Sequence, residues 1–143
     1  MFGYCMWILL NKFNIYNKII LDYNNKSNLK IHQAHITEQY NIINNPIKFY
    51  RNYKLDNIKE FKPILPVYQY SKNDFHALQL DLSPKNDKNY HISLSYRTDR
   101  PYSQKEIDDI NSYNFPEIIF SDCELKLFDC NSLDSDKWFE VKE

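Results

Sequence analysis

The chain reads as an α+β domain with mainly antiparallel sheet, and three observations carry that reading. Apolar and polar residues alternate over several short segments, most clearly in residues 75–82 and 90–97. Helical spacing of apolar residues occurs in two stretches, residues 12–24 and 103–113. The sequence holds one glycine in 143 residues, Gly3, so no glycine-rich phosphate loop of a parallel βαβ nucleotide-binding fold can be written.

The elements follow in order. Residues 2–10 are a nearly continuous apolar run, short enough for a buried strand and too short for a membrane span. Phe13, Tyr16, Ile19 and Ile20 then recur at helical spacing, and Asn24, Asn25 and Asn28 break the pattern. Asparagine tolerates the left-handed backbone that glycine usually supplies. Residues 29–43 are expected to be extended, with Pro46 ending them and residues 47–66 irregular. Residues 67–70 and 75–82 form a hairpin around Ser71–Asp74. Residues 84–88 make a turn, and residues 90–97 a strand. Ser103 with Glu106 three positions later is a capping box, and Ile107 and Ile110 are the buried side of the helix it starts. Strands at 118–120, continuing into 124–128, and at 137–141 complete the list. The length suits one domain over residues 1–143.

Composition narrows the function classes. Hydrophobic content of 43% and aromatic content of 16% suffice for a packed core. Eighteen basic residues against 19 acidic ones leave a net charge of −1, so a general polyanion-binding surface is not expected. Heavy use of Asn, Lys, Ile, Tyr and Phe, whose codons are A/T-rich, marks an AT-rich genome and bears on origin alone. Cys5, Cys123 and Cys130 fit no disulfide framework or C-x-x-C site, so the expected compartment is the reducing cytoplasm. No signal peptide and no membrane partner are expected.

The chemistry is carried by two copies of one pattern. His35-Ile36-Thr37 stands in AHITEQY, and His91-Ile92-Ser93 in YHISLSYR. On a strand the imidazole and the hydroxyl two residues on share one face while the isoleucine faces the other way. Continued alternation would add Ser95 and Arg97 to the His91 face. Hydroxyls and a guanidinium hold phosphate oxygens, and imidazole moves protons near neutral pH.

Two H-h-[ST]-h motifs, each on a strand and one in each half of a small α+β chain, resemble the 2H phosphoesterase superfamily (LigT-like). The resemblance spans most of the chain. It implies two lobes of antiparallel sheet facing a central cleft, with helices outside. It also implies metal-independent cleavage of phosphodiesters, with His35 and His91 as the catalytic acid and base and Thr37 and Ser93 as phosphate ligands. Arg97 is a further candidate for phosphate contact. Tyr4 and Trp7 on the first strand are candidates for base stacking, although their odd separation lets only one face the cleft. The substrate class implied is a nucleotide or RNA end with a 2′,3′-cyclic or 2′,5′ linkage, cyclic or 2′,5′-linked signalling nucleotides included. The alternative is a catalytically silent module that binds nucleotides or a protein on the same fold. No cofactor is called for. Glu38 departs from the family pattern, standing where an apolar residue is usual.

The other candidates get plainer roles. His32-x-x-His35 as a zinc pair would need both rings on one side, whereas extended backbone places positions i and i+3 on opposite faces. His32 is expected at the surface or cleft rim. His76 shares a face with Leu78, Leu80 and Leu82, so a hydrogen-bonded core histidine is expected there, and Cys123 and Cys130 are expected to be inert thiols. Gly3 is expected to be a place where a substrate comes close to the backbone.

Overall fold

The computed structural model describes residues 3–55, 58–85, 88–131 and 137–141. The order of elements is β1 (Tyr4–Leu10), α1 (Ile15–Lys26), β2 (His35–Ile42), α2 (Pro46–Asn52), β3 (Glu60–Lys72), β4 (Phe75–Ser83), β5 (His91–Arg97), α3 (Gln104–Asn111), β6 (Ile118–Ile119), β7 (Cys123–Asp129) and β8 (Phe139–Glu140). The strands make one eight-stranded antiparallel sheet in the order β6-β3-β4-β5-β2-β1-β7-β8, so the chain is α+β as expected. Helices α1 and α3 pack their buried residues against Ile8, Leu10, Ile36, Leu78, Leu80 and Ile92 on one side of the sheet. Tyr50 and Tyr53, in and just after α2, cover Met6, Ile42 and Leu127 on that same side. The opposite side carries both histidine motifs. Among the described residues, no helix is long and apolar enough to cross a membrane.

Local chemistry explains most boundaries. Asn14 caps α1, its side-chain oxygen accepting from the Tyr16 amide at 3.0 Å. Phe13 precedes that cap and is 85% exposed, so it belongs to neither the helix nor its buried side. Asn24, expected to end the helix, is instead buried inside it. Its amide donates to the Leu94 carbonyl at 3.0 Å, and its oxygen accepts from Ser95 Oγ at 2.6 Å. A tertiary partner on β5 thus overrides the weak helix preference of asparagine. Tyr102 Oη donates to the same Ser95 hydroxyl and completes the buried network.

Asparagine also does the backbone work expected of it. The described non-glycine residues with positive φ are Asn28, Asn41, Asn45, Asn73 and Asn89, with φ between 47° and 55°. Asn28 ends α1 and Asn73 turns the β3–β4 hairpin. Gly3 has φ 91°, and a Cβ there would lie 3.1 Å from Asn41 Cα. The close approach at Gly3 is therefore made by the protein's own β2, not by a substrate.

Three expectations need correction. Pro46 opens α2 rather than only ending an extended segment, because proline suits the first helical turn, where its missing N–H is not needed. Residues 60–66, expected to be irregular, belong to β3, which pairs with β4 through Pro63↔Leu82 and shifts register between Ile64 and Tyr68, around Pro66. The Val67 backbone is satisfied instead by Asn111 of α3, whose side chain accepts from its N–H at 2.8 Å and donates to its carbonyl at 3.0 Å. Residues 118–128 are not one strand. β6 pairs with β3 at one end of the sheet, β7 pairs with β1 in the other half, and a 3₁₀ turn at Phe120–Asp122 separates them. In the expected strand at 137–141, pairing covers Phe139–Glu140. Phe2 and residues 86–87 of the expected turn lie outside the described residues.

The buried Asn24 network makes a stability prediction. Asn24→Ala strands the Leu94 carbonyl and the Ser95 hydroxyl, so the free energy of unfolding should fall by about 1–3 kcal/mol in denaturant titrations. Phe13→Ala, at an exposed position, should stay within about 0.5 kcal/mol. Equal effects of the two would contradict this account of α1.

Candidate active site

The two motifs meet where β2 pairs with β5, through Ile36↔Ile92. Both isoleucines are fully buried on the helix side, which turns His35, Thr37, His91 and Ser93 to the opposite side. Antiparallel register then sets His35 across from Ser93 and Thr37 across from His91, about a local two-fold axis through the isoleucine pair. Directly opposed residues in such a pair have Cα atoms about 4.5–5.5 Å apart. His35 and His91 are diagonal neighbours, roughly 7–8 Å apart. Side chains at that spacing can reach one tetrahedral phosphoryl group together.

Each imidazole is oriented the same way. His35 Nδ1 lies 2.9 Å from the Gln33 carbonyl, and His91 Nδ1 lies 2.9 Å from the Asn89 carbonyl, in each case two residues upstream. A carbonyl only accepts, so Nδ1 carries the proton in both rings and Nε2 is left for chemistry. His35 is 7% exposed and stacks on Trp7, with ring centroids 3.6 Å apart and planes 12° from parallel. Burial, reinforced by neighbouring His32 and His91, holds the His35 imidazole far down, at about 3, so it is neutral at physiological pH. His91 is half-buried and lies across from Asp81 of β4, whose carboxylate accepts from Tyr68 Oη at 2.7 Å.

Trp7 lies on the motif side as expected, and Tyr4 does not: it packs with Met6, Ile42 and Leu127 on the helix side. Trp7 is unsuited to base stacking, because its second neighbour is Phe128, stacked at 4.1 Å. It is sandwiched between Phe128 and His35 and serves to hold the imidazole. Arg97 lies among the residues lining a cavity at this end of the site, but its guanidinium is engaged on the helix side. β5 shifts register between its partners Leu78 and Gln79, which oppose Ser95 and Ser93. Leu94 is therefore an extra residue, a β-bulge that reverses the alternation beyond it. Ser95 and Arg97 turn to the helix side, and Tyr96 turns to the motif side. Arg97 is 9% exposed there and pairs with Asp99 at 2.8 Å and Glu106 at 2.9 Å.

β2 has the matching irregularity. Trp7 pairs with Thr37 and Met6 with Gln39, which makes Glu38 the extra residue. Its carboxylate is buried on the helix side, where it takes hydrogen bonds from Tyr53 Oη, at 2.8 Å, and from Lys88 Nζ. The ammonium and the phenol let a carboxylate occupy the place where the family pattern has an apolar residue.

His32 lies half-buried at the rim of the cleft, as expected. Residues 29–34 are not strand, so the alternation argument fails, and the loop carries His32 back over the motifs. Its Nε2 donates to the Ser93 carbonyl at 2.8 Å, and its ring lies 6.0 Å from that of His35 and 4.7 Å from that of Tyr96. Burial pushes its imidazole below its usual range. A cavity of about 980 Å³ opens at this end of the site, lined in part by Trp7, His32, His35, Phe75, Tyr96 and Trp138. Thr37, His91 and Ser93 lie on the sheet face beyond its lining.

His76 is the expected core histidine, 8% exposed, with Nδ1 2.7 Å from Ser71 Oγ. Burial pushes the Cys123 thiol up to about 11; Cys130 is raised by its hydrogen bond with Cys5 and by burial. Among the described residues, no group of three or more His, Cys, Asp or Glu side chains is placed to hold a metal ion.

One further signal stands in the sequence: the repeat extends beyond three residues, since HITEQY and HISLSY both end in tyrosine. The register shifts that bring Tyr40 and Tyr96 to the motif side have no signature of their own. No protein-family model matches the chain, and no curated protein matches it significantly.

The depressed His35 imidazole gives a pH prediction. The unfolded chain takes up a proton there near pH 6.5 and the native state does so only near 3. Between those values the unfolded state binds more protons, so stability falls as pH falls through that window. His35→Gln should flatten the fall in melting temperature between roughly pH 6.5 and 4. An unchanged slope would show that His35 is not the group responsible.

Proposed function

We propose that the chain is a metal-independent phosphodiesterase that cleaves 2′,3′-cyclic or 2′,5′-linked phosphodiesters of RNA ends or small nucleotides by two-histidine acid/base catalysis. The observation that carries this reading is the register of β2 on β5. It presents two imidazoles, each held through Nδ1, and two hydroxyls around one local two-fold axis. The sheet order also divides at this junction into four strands on either side, which supports the two-lobed arrangement of the 2H phosphoesterases.

The roles follow from the environments. His35, buried on Trp7 and neutral, is the base: its Nε2 takes a proton from the attacking water. The water oxygen forms the new bond to phosphorus, and the bond from phosphorus to the leaving ribose oxygen breaks. His91, the more accessible imidazole, is the acid whose Nε2–H delivers a proton to that oxygen. Thr37 and Ser93 donate to the non-bridging oxygens, where negative charge builds up in the transition state.

The test is turnover of a panel of 2′,3′-cyclic nucleotides and 2′,5′-linked dinucleotides with excess EDTA. His35→Asn and His91→Asn should each lower kcat by about 10²–10⁴-fold without changing the fold. As pH falls from neutral toward 4 the rate should not be limited by protonation of the base, because the His35 imidazole stays neutral over that range. Activity abolished by EDTA and restored by Mn²⁺, or retained in both histidine variants, would sink the reading. Nucleotide binding without turnover would favour the silent binding module instead. Arg97→Gln should weaken the fold while leaving kcat and KM in place, since the guanidinium faces α3.

A further inference from the structure

We infer that His32 and Lys88 are positioning residues of the same site, two braces that cross the β2–β5 junction in opposite directions and lock the two histidine motifs together. This rests on the phosphodiesterase reading for what the motifs grip, and on backbone and side-chain geometry for the braces. Among the described residues, β2 is paired in register with β5 at Ile36↔Ile92 alone, whereas β4 runs along most of β5. A single paired position leaves two strands free to swing about it. Two side chains reach across to either side of that position. His32, three residues before His35, places Nε2 2.8 Å from the carbonyl of Ser93 in the other motif. Lys88, three residues before His91, bonds through Nζ to Glu38, which follows Thr37 of the other motif. The residue after each brace, Gln33 or Asn89, supplies the carbonyl that holds Nδ1 of its own histidine. One short segment before each motif thus orients its own imidazole and grips the opposite strand, and the arrangement repeats about the local two-fold axis of the motifs.

The chemistry of each brace suits its place. Glu38 and Lys88 meet on the helix side, where the carboxylate is wholly buried and also accepts from Tyr53 Oη at 2.8 Å. A buried carboxylate parted from its ammonium is costly, so the pair holds residues 88–89 firmly. His32 works on the motif side, and the chain behind it is anchored. Gln33 Nε2 donates to the Leu10 carbonyl at 2.9 Å, and the Ala34 amide donates to Asn17 Oδ1 at 2.6 Å. The imidazole therefore ties β5 to β1 and α1 through a short stretch of fixed chain. A carbonyl only accepts, so the neutral His32 ring carries its proton on Nε2, the opposite tautomer to His35 and His91. Both braces act on distances that matter to the reaction. Swinging β5 on β2 would draw Ser93 from His35 or Thr37 from His91, and a displacement of about 1 Å can cost on the order of 10²-fold in rate.

Three variants test the braces. His32→Ala removes one, and Glu38→Leu/Lys88→Met removes the other without leaving a buried charge. His32→Gln keeps an N–H that can reach the Ser93 carbonyl. On the nucleotide panel, His32→Ala and Glu38→Leu/Lys88→Met should each lower kcat about tenfold or more with KM changed less than about threefold, and His32→Gln should recover most of the loss. Full kcat in either brace variant, or a loss in His32→Gln equal to that in His32→Ala, overturns the inference and leaves the histidine mechanism standing. A wild-type chain that cleaves nothing in the panel sinks the phosphodiesterase reading, and the braces are then read by NMR. Wild-type His32 should show the Nε2–H tautomer in ¹⁵N–¹H spectra, and NOEs should connect the His35 ring with the Ser93 Hβ protons. Those NOEs should weaken in His32→Ala and return in His32→Gln. An Nδ1–H tautomer at His32, or NOEs unmoved by His32→Ala, overturns the inference whatever the activity.

Discussion

Everything on the open side of the sheet depends on one backbone pairing, Ile36 against Ile92. The two side chains are fully buried among residues of α1 and the neighbouring strands, and slipping either strand by one residue would expose one of them. Such a slip would also turn a histidine and a hydroxyl into the core, where neither has a partner. Hydrophobic burial on one face thus sets the position of polar chemistry on the other. The imidazoles need only a short further constraint, the carbonyl two residues upstream, to settle which nitrogen is left for reaction.

The two bulges define the limits of the site. Immediately after Thr37 and after Ser93 the strands insert an extra residue, and alternation restarts out of phase. On the motif side this exchanges Ser95 and Arg97 for Tyr96. On the helix side it creates polar groups that need partners; these are found except at Glu38 Oε2, which is buried without a hydrogen bond among the described residues. Ser95 joins Asn24 and Tyr102, Arg97 joins Asp99 and Glu106, and Glu38 joins Tyr53 and Lys88. Removing one member of such a set leaves the rest buried and unpaired, which costs more than the lost bond itself. The density of polar groups behind the sheet is a consequence of how the front is shaped.

The asymmetry between the histidines arises outside the repeat. Across from His35 stands Leu9 on β1, and Trp7 from that strand covers the imidazole; across from His91 stands Asp81 on β4. Two related hexapeptides therefore sit in different surroundings: the His35 imidazole is buried and held below its usual range, and His91 stands across from Asp81.

Much was legible in advance wherever the interactions are local. The α+β class, the capping box of α3, the β3–β4 hairpin, the core role of His76 and the use of asparagine in place of glycine rest on alternation, spacing and backbone preference within a few residues. The shared face of His35 with Thr37 and of His91 with Ser93 belongs here too, since it needs only one strand at a time. What escaped the sequence is what depends on a second strand. A bulge is a mismatch of length between paired strands, so Arg97 and Tyr96 cannot be placed from β5 alone. Trp7 becomes a support for His35 only once Phe128 closes its other face, and His32 joins the site only when the loop before β2 folds back. The sequence by itself determined which residues could do chemistry and on which side of their own strand they begin. Tertiary structure alone decided which of them meet, because register, bulges and burial are properties of paired segments and not of either segment taken singly.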